Sequence, residues 1–183
     1  MNVFVLSTGR CGSKSFAKAC AQISNYSSGH ETRVTTIGKG RLNYPDDHIE
    51  VDNRLSWLLG RLEEKYGDDA FYVHLTRDPE RVARSLNRRW HLRENIVRAY
   101  ADQIHMTTVP NPLLVCQDYL QTVTANINSF LKNKSKVFRL DIDDAESDFP
   151  ILWDRIGATG NISQALMEIS NHHNKGAQIG IDY

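Results

Sequence analysis

Apolar residues along this chain occur in short runs, separated by longer segments in which they recur every three or four positions. The runs 3–6, 71–75 and 137–140 are typical of strands buried on both faces of a parallel sheet. The longer segments predict helices with one buried face, the first of which begins near Ser15 and buries Phe16, Ala19, Cys20 and Ile23. Strands that alternate with helices, without hairpin signals, predict an α/β fold: a small parallel sheet flanked by helices.

Polar capping residues and turn-forming stretches divide the rest of the chain. Residues 24–29 and 38–47 are rich in Ser, Asn, Gly and Asp and predict loops, whereas 34–37 predicts a short strand. Two further helices are expected from about residue 93 and over 149–156. Candidate helix caps, each followed by an apolar stripe, are Asp52 or Asn53, Asp78, Asn111 and Asn161.

Composition and charge exclude several classes of protein. With 183 residues the chain is long enough for one domain over 1–183, and no shift in composition argues for two. Lys plus Arg and Asp plus Glu both number 22, so the chain has no overall field that would attract nucleic acid or an anionic membrane. Neither a signal peptide nor a membrane anchor is recognisable, and the three cysteines have no disulfide or metal-ligand spacing, so we expect a cytoplasmic protein.

The segment 7–15, called the phosphate loop below, has the residues of an anion-binding site. A strand, a glycine-containing loop and a helix together point backbone N–H groups and a helix dipole at one position. Arg10 and Lys14 add positive charge there, although a plain tight turn is the alternative. The same surroundings would lower the pKa of the Cys11 thiol, but a role as a small loop residue is simpler. The predicted phosphate-binding residues are Thr8, Gly9, Arg10, Cys11, Gly12, Ser13, Lys14 and Ser15.

A second group of anion-binding residues follows the middle apolar run, in the segment 77–85, called the second loop below. Arg77 follows the predicted strand, and Ser85 lies about two turns into the next helix. Ligands of parallel sheets bind at the carboxyl ends of the strands, where these residues would lie. Together they could hold one phosphate, whereas an Arg77–Asp78 ion pair with a solvated Ser85 is the alternative. The rest of the arginine-rich stretch 77–98 is interpreted as a solvated helix face.

The two loops together resemble those of sulfotransferases that use 3′-phosphoadenosine 5′-phosphosulfate (PAPS). The resemblance is carried by Leu-Ser-Thr-Gly-Arg-Cys-Gly-Ser at 6–13 and Leu-Thr-Arg-Asp-Pro-Glu-Arg-Val-Ala-Arg-Ser at 75–85, and more weakly by 137–144. It implies a P-loop nucleotide-hydrolase-like sulfotransferase fold. It also implies PAPS as co-substrate and adenosine 3′,5′-bisphosphate (PAP) as product, without a metal.

The resemblance assigns roles to individual residues. Arg10 would contact the 5′-phosphate and the departing oxygen, while Arg77 and Ser85 would hold the 3′-phosphate. Lys14 departs from the family, which often has serine or threonine there, so either Arg10 or Lys14 assists the leaving group. The basic loop that many members fold over the 3′-phosphate is represented only by Lys175 and its neighbours.

The acceptor hydroxyl needs a general base, for which the resemblance suggests a histidine or a glutamate. Some bacterial members use a glutamate soon after the first helix, so Glu31 is the preferred candidate and His30 the second; exposed polar side chains are the alternative for both. Residues 29–53 and 90–111 flank the two loops, and their mixture of aromatic, amide and charged groups suits a carbohydrate or another small hydroxylated acceptor. The chain is short for the family, which leaves open a homodimer that completes the acceptor site.

Two other functions share these features. A P-loop kinase would have the motif G-x-x-x-x-G-K-[ST], and residues 8–15 do end in Lys14-Ser15. However, Thr8 and Ser13 stand where that motif needs glycine. A nucleotide-binding module without turnover would keep the anion-binding groups, and the identity of residues 30 and 31 would then not matter.

Overall fold

The computed structural model describes residues 1–92, 94–106 and 111–171. Its strands are β1 Val3–Leu6, β2 Ser27–His30, β3 His48–Val51, β4 Phe71–Thr76 and β5 Val137–Asp141. They form one sheet in the order β2-β3-β1-β4-β5, and every pair of neighbours is parallel. The α/β fold with a parallel sheet, predicted from the alternation of strands and helices, is confirmed.

Seven α-helices lie in the described ranges. They are α1 Ser13–Cys20, α2 Leu59–Tyr66, α3 Pro79–Asn87, α4 Ile96–Ala99, α5 Pro112–Leu131, α6 Ala145–Arg155 and α7 Ile162–Ser170. The side chains of Asp52, Asp78, Asn111 and Asn161 each accept a hydrogen bond from a backbone N–H of the following turn, as their capping role predicts. Within the described ranges, no helix combines the length and the apolar character needed to cross a membrane.

β1 is the centre of the sheet and of the core. Its four residues are at most 1% exposed, because β3 and β4 flank it and helices cover both faces. On one face Phe4 packs against the rings of Tyr44, Tyr66 and Tyr72. The phosphate loop therefore follows the most completely buried strand of the sheet.

The sequence does not predict two of the strands. β2 falls largely within the predicted loop 24–29 and β3 follows the predicted loop 38–47, whereas 34–37 does not form the expected strand. β2 is an edge strand with partly exposed residues, so it does not need the apolar side chains that signal a buried strand. β3 is buried but contains the charged residue Glu50, which breaks its apolar run.

Three helical segments differ from their predicted bounds. Asp52 caps a short 3-10 turn, Asn53–Trp57, and α2 begins only at Leu59. The helix expected from about residue 93 begins at Ile96 and widens into a π-helical turn, Tyr100–Ile104. The helix expected over 149–156 begins four residues earlier, at Ala145, with Asp141 capping the preceding turn.

Candidate functional site

The segments that follow β1, β2, β4 and β5 meet at the carboxyl edge of the sheet. Arg10 Nε lies 3.1 Å from Ser85 Oγ, which joins the phosphate loop to the second loop. His30 Nε2, at the end of β2, lies 3.1 Å from Ser13 Oγ. Because ligands of parallel α/β sheets bind at this edge, these contacts define the candidate site.

The backbone of the phosphate loop has the conformation of an anion-binding turn. Gly9, Arg10 and Gly12 have φ angles of 81°, 61° and 77°, in the left-handed region. Gly12 immediately precedes α1 and has no side chain with which to cap it, so the helix begins without a capping oxygen. Backbone N–H groups at such a helix start attract a phosphate or sulfate.

Two hydroxyl groups hold the phosphate loop from its inner side. Ser56 Oγ donates to the Ser7 carbonyl and Tyr119 Oη donates to the Thr8 carbonyl, both at 3.1 Å. Ser56 and Tyr119 are buried, which makes these contacts part of the core. The first two carbonyls of the loop are therefore fixed away from the anion-binding side.

Three of the predicted phosphate-binding residues have side chains engaged inside the protein. Cys11 Sγ contacts the Gly9 carbonyl at 3.2 Å and Thr8 Oγ1 at 3.4 Å, while Ser15 Oγ donates to the Asn171 carbonyl at 3.1 Å. Burial raises the pKa of Cys11, so the expected lowering of its pKa is wrong: the thiol is only 2% exposed, and desolvation outweighs the nearby cations. The side chains of Thr8, Cys11 and Ser15 are thus held by other groups of the protein.

Arg10 stands in a concentration of positive charge. Burial lowers the pKa of its guanidinium, and the charges of Arg89, Arg88 and Arg77 lower it further. The sequence prediction omits Arg88 and Arg89. Their spacing from Ser85 could have identified them. They follow Ser85 by three and four residues, which places them on the same side of the helical segment.

Arg77 has a buried polar atom that lacks a partner. Its Nε forms no hydrogen bond with any described residue, and the nearest carboxylate oxygen, Asp143 Oδ1, lies 3.9 Å away. Asp143 is itself engaged by Arg81 at 2.7 Å, and Asp78 caps α3 instead of pairing with Arg77. An unsatisfied buried donor costs about 1–3 kcal/mol, which an anionic ligand would relieve.

His30 and Glu31 lie on the β2 side of the same edge. The Glu31 N–H donates to the Val51 carbonyl at 3.1 Å, and its carboxylate contacts Arg54 at 2.9 Å. Glu31 has a φ of 54°, a left-handed conformation that strains a residue other than glycine. Such strain, of order 1–3 kcal/mol, persists where the surrounding structure imposes it and is common at functional sites.

The remaining two predicted residues are lysines. Lys14 is an exposed residue of the phosphate loop, in the first turn of α1. Lys175 lies outside the described residues, and its proposed part in a basic loop stays a prediction.

Replacing Gly12 with alanine should lower the free energy of unfolding by about 1–3 kcal/mol. A Cβ atom at Gly12 would lie 2.5 Å from Ile142 Cγ1, in the segment after β5, and the φ of 77° would strain any side chain. Gly60→Ala is the matched control, because a Cβ there meets nothing within 4 Å. Urea unfolding of both variants measures the difference; equal stabilities would show that the loop tolerates a side chain at Gly12.

Comparison with known proteins gives no match in sequence and a clear one in structure. No protein-family model and no curated protein matches the chain. The sulfotransferase domain from the curacin biosynthetic pathway is similar in structure, with a TM-score of 0.63 and 14% identity over 93% of this chain and 77% of that chain. Mouse sulfotransferase SULT7A1 complexed with PAP has a TM-score of 0.62 and 12% identity over 93% of this chain and 64% of that chain. This chain has the sulfotransferase fold.

The chain spans 64% of the length of the mouse protein. Its own structure contains a five-stranded parallel sheet with the two loops at the carboxyl edge, where parallel α/β sheets bind their ligands. The arrangement can hold a ligand that carries two anionic groups, one at the start of α1 and one near Arg77.

Proposed function

We propose that this protein transfers the sulfuryl group of PAPS to a hydroxyl of a carbohydrate or another small acceptor. The observation that carries the proposal is the meeting of two anion-binding loops at one edge, where Arg10 contacts Ser85 and the buried Arg77 Nε lacks a partner. A nucleotide with phosphates at both ends of its ribose needs two such loops. The sulfotransferase fold supports this assignment, and the mouse protein of that fold is complexed with PAP.

The nucleotide would be divided between the two loops. The backbone N–H groups at the start of α1 would hold the 5′-phosphosulfate, because helix starts favour such anions. Arg77 and Ser85 would hold the 3′-phosphate, which supplies the partner that Arg77 Nε lacks. Arg88 and Arg89 add positive charge on the same side of the site.

The leaving group is the place where fixed charge matters most. When bound, PAPS supplies an activated sulfuryl group, and its transfer leaves negative charge on the 5′-phosphate. Arg10 and the first N–H groups of α1 would stabilise that charge, and one fixed donor of this kind is typically worth about 3–4 kcal/mol. Lys14, exposed beside them, is the second cation available for this role.

Glu31 would accept the proton of the acceptor hydroxyl. Its position beyond the end of β2 places it at the same edge as the phosphate loop, and its strained backbone is fixed by the hydrogen bond to Val51. Arg54 orients its carboxylate. His30 would instead hold Ser13 at the start of α1, because its ring contacts that hydroxyl. The acceptor would then enter from the side of the segment that follows β2.

PAP should bind the protein equally well with magnesium and with EDTA, and more tightly than ATP does under either condition. The physical reason is that Arg77 and Ser85 read the 3′-phosphate, which ATP lacks, and that no metal is needed to neutralise it. Isothermal titration calorimetry measures the affinities. A kinase would instead prefer ATP with magnesium. A module without turnover would bind PAP yet release none from PAPS with any of a panel of mono- and disaccharides.

A further inference from the structure

A fully buried carboxylate binds Thr32, the residue that follows the proposed base. Glu50, on β3, is 0% exposed and accepts three hydrogen bonds. The Thr32 N–H donates to Oε1 and the Thr32 hydroxyl to Oε2, both at 2.7 Å, and His48 Nε2 lies 2.9 Å from Oε2. Burial raises the pKa of Glu50, but these hydrogen bonds outweigh it and bring the pKa below its ordinary value. Burying a carboxylate without hydrogen-bond donors costs folding free energy, so the three donors around Glu50 are what allows its charge to be buried.

The chain around Glu50 is shaped to fit it. Gly29 is the residue opposite Glu50 in the register of β2 and β3. A Cβ atom on Gly29 would lie 2.2 Å from Thr32 Cγ2 and 3.1 Å from Glu50 Oε2. Thr32 therefore folds back over Gly29 into space that only a glycine leaves open, and its hydroxyl reaches Glu50 there.

His48 is held in place as firmly as the carboxylate that it contacts. Its Nδ1 lies 2.9 Å from Ser27 Oγ, so each ring nitrogen has one partner. The ring stacks on Tyr44 with centroids 5.3 Å apart and planes inclined by 10°. Glu50 is thus fixed from β2, from β3 and from the segment after β2.

Glu31 lies between two points that this arrangement fixes. Its own N–H is bound to the Val51 carbonyl, and the next residue, Thr32, is bound twice to Glu50. A left-handed φ of 54° at a glutamate is retained only where its neighbours impose it. The two hydrogen bonds of Thr32 supply that constraint on the carboxyl-terminal side of Glu31.

We propose that Glu50, acting through Thr32, is a positioning residue that holds Glu31 in the orientation needed to take the acceptor proton. The proposal rests on the proposed function, because it needs Glu31 to be the base. Glu50 does not touch substrate itself. By holding Thr32, it fixes the strained backbone of Glu31 at the sheet edge, and thereby the direction in which the Glu31 carboxylate points.

Thr32→Val removes the hydroxyl donor to Glu50 with little change in shape, while Thr32→Ser keeps it. With PAPS and the acceptor of the panel that wild type uses best, Thr32→Val should lower kcat about tenfold and leave the Kd for PAP unchanged. Thr32→Ser should keep kcat within about twofold. Tyr26→Phe is the control, because it removes a hydroxyl that donates to the Ile156 carbonyl. It should leave kcat unchanged even if its melting temperature falls as much as that of Thr32→Val.

The outcomes separate the inference from the function on which it rests. In a Glu31→Gln background, Thr32→Val should cause no further loss of rate, and a crystal structure of Thr32→Val should show Glu31 outside the left-handed region. If Glu31→Gln lowers kcat but Thr32→Val does not, the positioning role is overturned and the proposed function stands. If wild type transfers no sulfuryl group, or Glu31→Gln keeps the wild-type rate, the positioning role is overturned together with the base on which it depends.

Discussion

Replacing Glu31 with glutamine should lower kcat by about 100- to 10,000-fold, the range typical of a lost general base. Glutamine has nearly the same shape and its amide oxygen can still contact Arg54, so the strained backbone and the ion-pair geometry are disturbed little. What it lacks is the ability to take a proton at neutral pH. Within the described residues, the hydrogen bonds and the ion pair of Glu31 involve Val34, Val51 and Arg54, none of which is predicted to hold the nucleotide. The Kd for PAP should therefore stay at the wild-type value.

Two other variants provide the control for Glu31→Gln and test His30 as the alternative base. Glu63→Gln removes the same charge from α2, where Glu63 pairs with Lys134, and should leave kcat unchanged. His30→Asn should cause a smaller loss than Glu31→Gln, since His30 contacts Ser13. If His30→Asn abolishes turnover while Glu31→Gln does not, the base is His30. Steady-state kinetics with PAPS and the best acceptor of the saccharide panel distinguish the two.

Replacing Arg77 with alanine should weaken the binding of PAP by about 10- to 150-fold. Hydrogen bonds to a charged group are worth about 1.5–3 kcal/mol, and about 1.4 kcal/mol corresponds to a factor of ten in Kd. The fold should tolerate the change, because Arg77 Nε has no hydrogen-bond partner among the described residues and the closest carboxylate is 3.9 Å away. Calorimetric titration with PAP measures the loss.

The ligand itself provides the best control for Arg77. Adenosine 5′-phosphate lacks the 3′-phosphate, so Arg77→Ala and wild type should bind it equally, and the difference in affinity between the two ligands should shrink in the variant. Arg61→Ala removes a guanidinium from α2 that contacts the Gly38 carbonyl, and should affect neither ligand. Equal weakening of both ligands in Arg77→Ala would show that Arg77 does not read the 3′-phosphate.

The sequence predicts the centre of the fold because its signals there are local. β1 is an unbroken apolar run, and the caps Asp78 and Asn161 bind backbone N–H groups within the next few residues. The left-handed turns at Gly9 and Gly12 are also local features, because glycine adopts this conformation without a distant partner. Each of these features depends on neighbours in the chain.

The strands β2 and β3 could not be predicted, because the features that identify them depend on residues distant in the chain. Glu50 looks like a surface residue until Thr32 and His48 are brought to it, and Gly29 looks like a turn residue until Glu50 lies opposite. A polar edge strand and a strand with a buried charge both lack the alternation or continuity that identifies strands. Their identity is decided by tertiary contacts.

The candidate site was predictable in its residues more than in its contacts. Arg10 and Ser85 were each recognisable, but their contact joins residues that are 75 positions apart. Ser15 was a reasonable phosphate ligand until Asn171, 156 positions away, accepted its hydroxyl. Arg88 and Arg89 follow α3 and are exposed. In the sequence they resemble ordinary solvated charges, so nothing identifies them as part of the site.

The central position of β1 in the sheet affects how the protein folds during its synthesis. Val3 pairs with Ile49 on one side and with Phe71 on the other, so the first strand made gains its second neighbour only when β4 has been made. Ribosomes add about 5–20 residues per second, and β1 must therefore wait several seconds for β4. Until then, the phosphate loop and the second loop are not held together, so the proposed nucleotide site cannot form. Binding of PAP by a nascent chain would therefore report that β1 and β4 have paired.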